Sequence, residues 1–122
     1  MTRAELRRWF VLTSICDDYE DIEQITKSVN RFAASGVATS ASQIIEALEQ
    51  LIAMGHATAW QLGSQPPIAY AGMPPPEAIK PWGAYFYTTP RGLEAQNLND
   101  WYPFDDDGDE EKLRKDWTPP EA

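Results

Sequence analysis

The sequence predicts a mainly α-helical fold, in which a three-helix core is followed by a two-stranded antiparallel β-hairpin and a short C-terminal helix. Apolar residues recur at helical spacing in three successive segments before Gly55. Two later segments with aromatic residues and threonine flank a proline-rich stretch and are typical of strands. A chain of 122 residues, 43% of them apolar, is long enough for one packed domain.

The first predicted helix covers residues 3–16. It begins with a capping box, in which the side chains of Thr2 and Glu5 can each bond to the other's backbone amide. Its apolar residues form more than one stripe: Leu6, Trp9, Phe10, Val11, Leu12 and Ile15. Because one helix of a small domain buries one face against its own core, we expect the face with Val11, Leu12 and Ile15 to pair with a second copy of the chain as a homodimer.

The second and third helices are predicted over residues 20–34 and 41–54. The third is the clearer of the two, because Ser40 and Gln43 form another capping box and Gly55 can end the helix in a left-handed turn. Its apolar face is predicted to be buried and consists of Ile44, Ile45, Leu48, Leu51 and Ile52.

The hairpin is predicted from strands over residues 57–62 and 84–88, which would carry Trp60 and Phe86. Residues 63–83 between them hold six of the ten prolines, which favour extended backbone and cannot donate to a strand ladder. We therefore expect a long, stiff tip.

Two further features are predicted next to these strands. Trp82 is expected to pack on the hairpin, with an exposed contact at the tip as the alternative. Thr89 as N-cap and Pro90 at the first helical position predict a short final helix over residues 90–98.

Two stretches, residues 40–57 (SASQIIEALEQLIAMGHA) and 85–94 (YFYTTPRGLE), resemble the winged-helix family of bacterial regulators in their order and spacing. The resemblance implies that the hairpin is the wing and that the third helix is the recognition helix, which enters the DNA major groove in DNA-binding members. Its candidate recognition residues are Ser42, Gln43, Glu46, Glu49 and Gln50. Only residues 17–21 remain for the family's small strand between the first two helices, so we expect no such strand here.

The charge disfavours nucleic acid as the partner. The net charge is −9, and residues 40–57 contain no lysine or arginine, whereas phosphate backbones select basic surfaces. The candidate basic contacts lie instead at the start of the first helix, at Arg3, Arg7 and Arg8.

The composition divides the chain into a predicted winged-helix domain, residues 1–99, and an acidic tail, residues 100–122. The tail carries nine acids and three bases. It also carries large apolar groups that a solvating tail does not need, which we interpret as docking anchors: Trp101, Tyr102, Phe104 and Trp117. We expect the tail to lie across the basic start of the first helix.

We predict no catalytic site, metal site or cofactor. Cys16 and His56 have no obvious catalytic partner, and a calcium loop centred on Gly108 would place Pro103 and Arg114 at ligand positions. His56 is instead expected to complement the end of the third helix as a cation. The single cysteine and the lack of a long apolar stretch predict a cytoplasmic protein without membrane contact.

The sequence therefore predicts a non-catalytic regulatory or adaptor module that acts mainly through protein–protein contacts. The alternative is a DNA-binding transcriptional regulator that uses the helix at 41–54 and the hairpin at 57–88.

Overall fold

The structure, a computed structural model, describes residues 1–31, 37, 39–63, 65–99, 101–103 and 113–121. Within these ranges the chain forms four α-helices and a small antiparallel sheet of three strands, so helices dominate as predicted. The helices are α1 (Arg3–Ser14), α2 (Ile22–Asn30), α3 (Ala41–Ala53) and α4 (Pro90–Asn97). The strands are β1 (Ala57–Gln61), β2 (Ile68–Ala69) and β3 (Tyr85–Thr88).

Side-chain caps set the start of each helix. The capping boxes predicted for α1 and α3 are both present. A third box was not predicted: Asp21 Oδ1 accepts from the Gln24 amide at 2.9 Å, and Gln24 Oε1 accepts from the Asp21 amide at 2.9 Å. Because Asp21 takes the N-cap position, α2 begins at Ile22 and not at residue 20.

The end of α3 is fixed by Gly55, whose φ of 76° lies in the left-handed region. The Gly55 amide donates to the Ile52 carbonyl at 3.0 Å, and the His56 amide donates to the Leu51 carbonyl at 2.8 Å. This pair of bonds satisfies carbonyls that would otherwise be unpaired and turns the chain directly into β1.

The core is built where α1, α2 and α3 pack together and the sheet closes one side. Leu6, Phe10, Ile44, Leu48 and Phe86 are each fully buried. The burial of the apolar face of α3, predicted from its spacing, is thus confirmed at Leu48.

The second apolar face of α1 is not exposed. Val11, Leu12 and Ile15 are 0%, 4% and 0% exposed within the single chain. The prediction that this face pairs with a second copy is wrong, because α1 contacts α2, α3 and α4 and is covered on more than one side.

The sheet has the order β2-β1-β3, with both pairs antiparallel. The strand β2 was not predicted, since it lies within the proline-rich segment. Residues 68–73 contain no proline, so their amides can donate, and the Tyr70 amide bonds to the Ala59 carbonyl at 2.9 Å. The proline-rich segment is therefore partly folded against β1.

The short connection between α1 and α2 also meets the sheet, against expectation. The Glu20 amide donates to the Phe86 carbonyl at 3.0 Å, and the Phe86 amide donates to the Glu20 carbonyl at 2.8 Å. One residue is thus enough to form an antiparallel bridge with β3. The connection is anchored without a full strand.

Parts of the acidic tail pack on the start of α1. The Arg3 amide donates to the Glu121 carbonyl at 2.8 Å, and the Glu121 amide donates to the Met1 carbonyl at 2.8 Å. The Trp101 ring lies 6.4 Å from the Trp9 ring, centroid to centroid. The other partly buried tail residues that contact the core are Tyr102, Leu113 and Trp117. Phe104, the remaining predicted anchor, lies outside the described residues.

Deleting residues 100–122 should lower the thermal unfolding midpoint, because it uncovers the apolar surface around Trp9. The deletion also removes six net negative charges from the chain. We expect weak, salt-sensitive binding to a polyanion such as heparin to increase, which an anisotropy titration at two salt concentrations measures.

Two single tryptophan variants separate packing from charge in this prediction. Trp101→Ala should lower the midpoint in the intact chain, whereas Trp82→Ala should not, because Trp82 is 87% exposed. Equal midpoints for Trp101→Ala and the unaltered protein would show that the Trp101 ring contributes no packing energy.

Candidate functional site

The loop between β2 and β3 presents Trp82 at its tip. A short 3₁₀ helix, Pro76–Ala78, precedes the tip, and the Ala78 carbonyl accepts from the amides of Lys80 at 3.1 Å and Ala84 at 2.8 Å. These bonds close the loop at its base. A side chain at Gly83 would collide with the Ala78 carbonyl oxygen, so the close approach requires glycine there.

Trp82 is 87% exposed and has a φ of 63°. A left-handed backbone is uncommon for a bulky residue and must be held by its surroundings. Asp21 supplies that restraint, since its Oδ2 accepts from the Trp82 amide at 3.0 Å. The expectation that Trp82 packs on the hairpin is wrong, and the alternative of an exposed residue at the tip is correct.

Asp21 is a site residue that the sequence analysis did not identify. Its side chain is buried, with 5% of the residue exposed, and its two oxygens serve two elements. Oδ1 caps α2 through Gln24, and Oδ2 holds the loop through Trp82. The sequence signal for the cap was available in the spacing of Asp21 and Gln24, but nothing local pointed to a bond across 61 positions.

A groove of about 530 Å³ lies beside Trp82, between the end of β1 and the loop. Its aromatic lining consists of Tyr70, Trp82 and Tyr85, and its charged lining consists of Glu77 and Lys80. Aromatic walls with a few charged groups suit the binding of another chain's side chains, because they offer apolar area and polar anchoring points.

An aromatic cluster covers the outer face of the sheet next to this groove. The rings of Tyr19 and Tyr87 stack with centroids 4.7 Å apart, and Tyr19 meets the edge of Trp60 at 6.1 Å. Trp60 is opposite Tyr85 in the strand register. The cluster therefore adjoins the groove through Tyr85.

Acidic residues border this surface. Burial, followed by the negative charges of Asp18 and Asp21, raises the pKa of Glu20 above its usual value of 4.5. The folded state thus holds the Glu20 proton more tightly than the unfolded state does.

Replacing Glu20 with glutamine should raise the stability at pH 7. The stabilisation linked to a raised carboxyl pKa is fully present below the pKa of the unfolded state and is lost as the pH rises through the pKa of the folded state. Charged Glu20 therefore destabilises the fold at neutral pH. The gain should disappear below pH 4, as thermal unfolding at both pH values will show. Glu49→Gln, at an exposed position on α3, should give no comparable gain.

The predicted recognition residues lie along α3, where Ser42, Glu46, Glu49 and Gln50 are exposed and Gln43 is half-buried. The structure brings two of the three predicted bases to this helix. Arg8 Nη1 donates to Gln50 Oε1 at 3.1 Å. Arg7 lines a shallow depression together with Gln43, Glu46 and Gln50. Arg3 is exposed at the start of α1.

The surroundings of Cys16 and His56 shift the pKa of each side chain. Cys16 Sγ donates to the Leu12 carbonyl at 3.2 Å, and burial raises the pKa of its thiol. Burial, then Arg91 and Arg8, lowers the pKa of His56, which disfavours the protonated helix cap predicted for it. Among the described residues, no three histidine, cysteine or acidic side chains are grouped to hold a metal.

No helix in the described part of the chain is both long and apolar enough to cross a membrane. Comparisons with protein-family models, with curated proteins and with solved structures found no match to this chain. The winged-helix resemblance therefore remains a prediction.

Proposed function

We propose that this chain is a non-catalytic regulatory or adaptor module that acts through protein–protein contacts, with Trp82 at the centre of its contact surface. The observation that carries the proposal is the exposure of Trp82 on a backbone held by the buried Asp21. A left-handed conformation costs an L-residue about 1–2 kcal/mol. The bond from the Trp82 amide to Asp21 helps to offset this cost, while the Trp82 side chain stays in solvent. Tryptophan is among the residues that contribute most to binding at protein interfaces.

The surface around Trp82 supports this role. The groove next to it adds Tyr70 and Tyr85, so a partner can cover several aromatic side chains at once. Because the backbone at Trp82 is held before binding, little backbone entropy is lost when a partner docks. A net charge of −9 also favours a protein partner over a nucleic acid.

Selection of peptides from a random phage-displayed library on the full-length protein tests this function. We expect the selected peptides to bind Trp82→Ala at least about tenfold more weakly than the unaltered protein, a loss equivalent to ~1.4 kcal/mol. They should bind Leu98→Ala normally, because Leu98 is an exposed apolar residue just after α4 that does not line the groove. Peptides that bind Trp82→Ala and the unaltered protein equally would contradict the proposal.

A DNA-binding regulator is the second candidate, and the position of Arg7 and Arg8 beside α3 favours it. The two guanidinium groups could contact phosphates while Gln43 or Gln50 contacts base edges. Fluorescence anisotropy with labelled duplex DNA distinguishes the candidates. If the protein is an adaptor, no sub-micromolar binding occurs at physiological salt. If it is a regulator, binding weakens as salt rises and weakens further in Arg7→Gln.

A further inference from the structure

A second cavity, of about 240 Å³, lies between α1, the end of α3 and α4. None of its lining residues belongs to the groove beside Trp82. Its large apolar lining residues are Trp9, Leu12, Leu51, Met54, Leu98 and Trp101. This volume is below the roughly 300–1,000 Å³ of pockets that hold drug-sized ligands, so the cavity suits a smaller ligand.

The mouth of this cavity is apolar on the surface. Leu98 is 77% exposed and Met54 is 40% exposed, although both are large hydrophobic residues. Exposed groups of this kind next to a concave apolar lining indicate a surface that a ligand can cover.

Basic groups from three elements converge at the same place. Arg8 of α1 and His56 of the turn after α3 both line the cavity. Arg91 of α4 lies over the same turn. A Cβ added to Gly55 in that turn would be 3.7 Å from Arg91 Nη1. Arg8 and Arg91 carry the positive charge here, because burial and these two arginines lower the pKa of His56.

The cavity lining that the structure describes holds one acidic side chain, Glu5, beside the basic ones. Glu5 Oε1 accepts from the Thr2 amide at 2.9 Å in the capping box, so this oxygen is already bonded within the chain. Arg8 Nη1 bonds to Gln50, a neutral acceptor. A guanidinium has five N–H donors, so Arg8 can bind an anion without giving up that bond.

We propose that this cavity binds a small amphipathic carboxylate, with its hydrocarbon tail against the leucines, Met54 and the tryptophans and its carboxylate between Arg8 and His56. The apolar lining provides the burial energy of the tail, and the basic groups select the anion over a neutral molecule of the same shape. Since α1, α3 and α4 all contribute, the bound ligand stabilises the packing of these three helices.

Octanoate is the probe, titrated into the ¹⁵N-labelled full-length protein and followed by heteronuclear NMR. We expect saturable shifts at the Trp101 indole and the His56 amide. The same titration with 1-octanol, which has the tail without the charge, should bind about tenfold more weakly. Acetate, which has the charge without the tail, should give no saturable shift in the same concentration range.

The single histidine gives an independent readout. A carboxylate bound beside His56 opposes the influence of Arg91 and Arg8 on its pKa. The pKa of His56 should therefore rise when octanoate is bound, and it should stay unchanged with 1-octanol. An unchanged His56 titration at saturating octanoate would place the carboxylate elsewhere and overturn the proposal.

Two matched pairs of variants locate the site. Leu98→Ala should weaken octanoate binding about threefold, whereas Leu93→Ala, at an exposed position of α4 that does not line the cavity, should not. Arg8→Gln should weaken it about tenfold, whereas Arg3→Gln should not. Equal effects within each pair, or equal binding of octanoate and 1-octanol, would contradict the proposed site.

Discussion

Replacing Leu48 with alanine should lower the free energy of unfolding by about 2–5 kcal/mol, the range found for core leucines. Leu48 is fully buried on α3, where α3 packs against α1 and α2. The truncation leaves a cavity. Because α3 is packed between other helices, the backbone cannot move far enough to close that cavity completely. Urea unfolding followed by circular dichroism will measure the loss as a shift of the midpoint.

The neighbouring residue provides the control for this variant. Glu49 follows Leu48 on α3 but is exposed, so Glu49→Ala should change the free energy of unfolding by no more than about 0.5 kcal/mol. Equal midpoints for Leu48→Ala and Glu49→Ala would mean that α3 does not form part of the core.

The helices could be predicted because their signals are local. Ser40 and Gln43 cap α3 within one turn, and its apolar residues recur every three or four positions. Both patterns depend on residues that are neighbours in sequence, so no knowledge of the rest of the fold was needed. The end of α3 at Gly55 follows from the same kind of local requirement.

The contacts that join distant segments could not be predicted in this way. A helical pattern shows that the face of α1 with Val11 and Leu12 is apolar, but it does not show what covers that face. The other helices cover it within the chain, which removes the reason for expecting a dimer there. The position of Arg8 beside Gln50 likewise depends on how α1 crosses α3.

The candidate site depends on another contact of this kind. The bond from Trp82 to Asp21 joins the hairpin loop to the start of α2 and keeps the tryptophan exposed. Sequence reasoning identified Trp82 as a residue with two alternative positions, because glycine follows it. Only the three-dimensional position of Asp21 decides between them.

Gly92 also depends on such a contact, and its replacement by alanine should destabilise the fold by about 1–3 kcal/mol through overpacking. Gly92 is buried in the first turn of α4. A Cβ there would collide with the His56 carbonyl oxygen and would lie 2.6 Å from Thr88 Oγ1. The close approach of α4 to the start of the sheet thus gives a physical reason for the glycine in the stretch YFYTTPRGLE. Thermal and urea unfolding will both measure the effect.

The backbone around Gly92 leaves little room for relief. The Gly92 amide donates to Thr89 Oγ1 at 3.0 Å, and the Thr89 amide donates to the same His56 carbonyl at 3.1 Å. Moving α4 outward would therefore stretch the bonds that start the helix. Gly63→Ala is the matched control, because a Cβ at Gly63 would have no atom within 4 Å. Equal unfolding midpoints for the two variants would show that α4 does not approach the His56 carbonyl closely in solution.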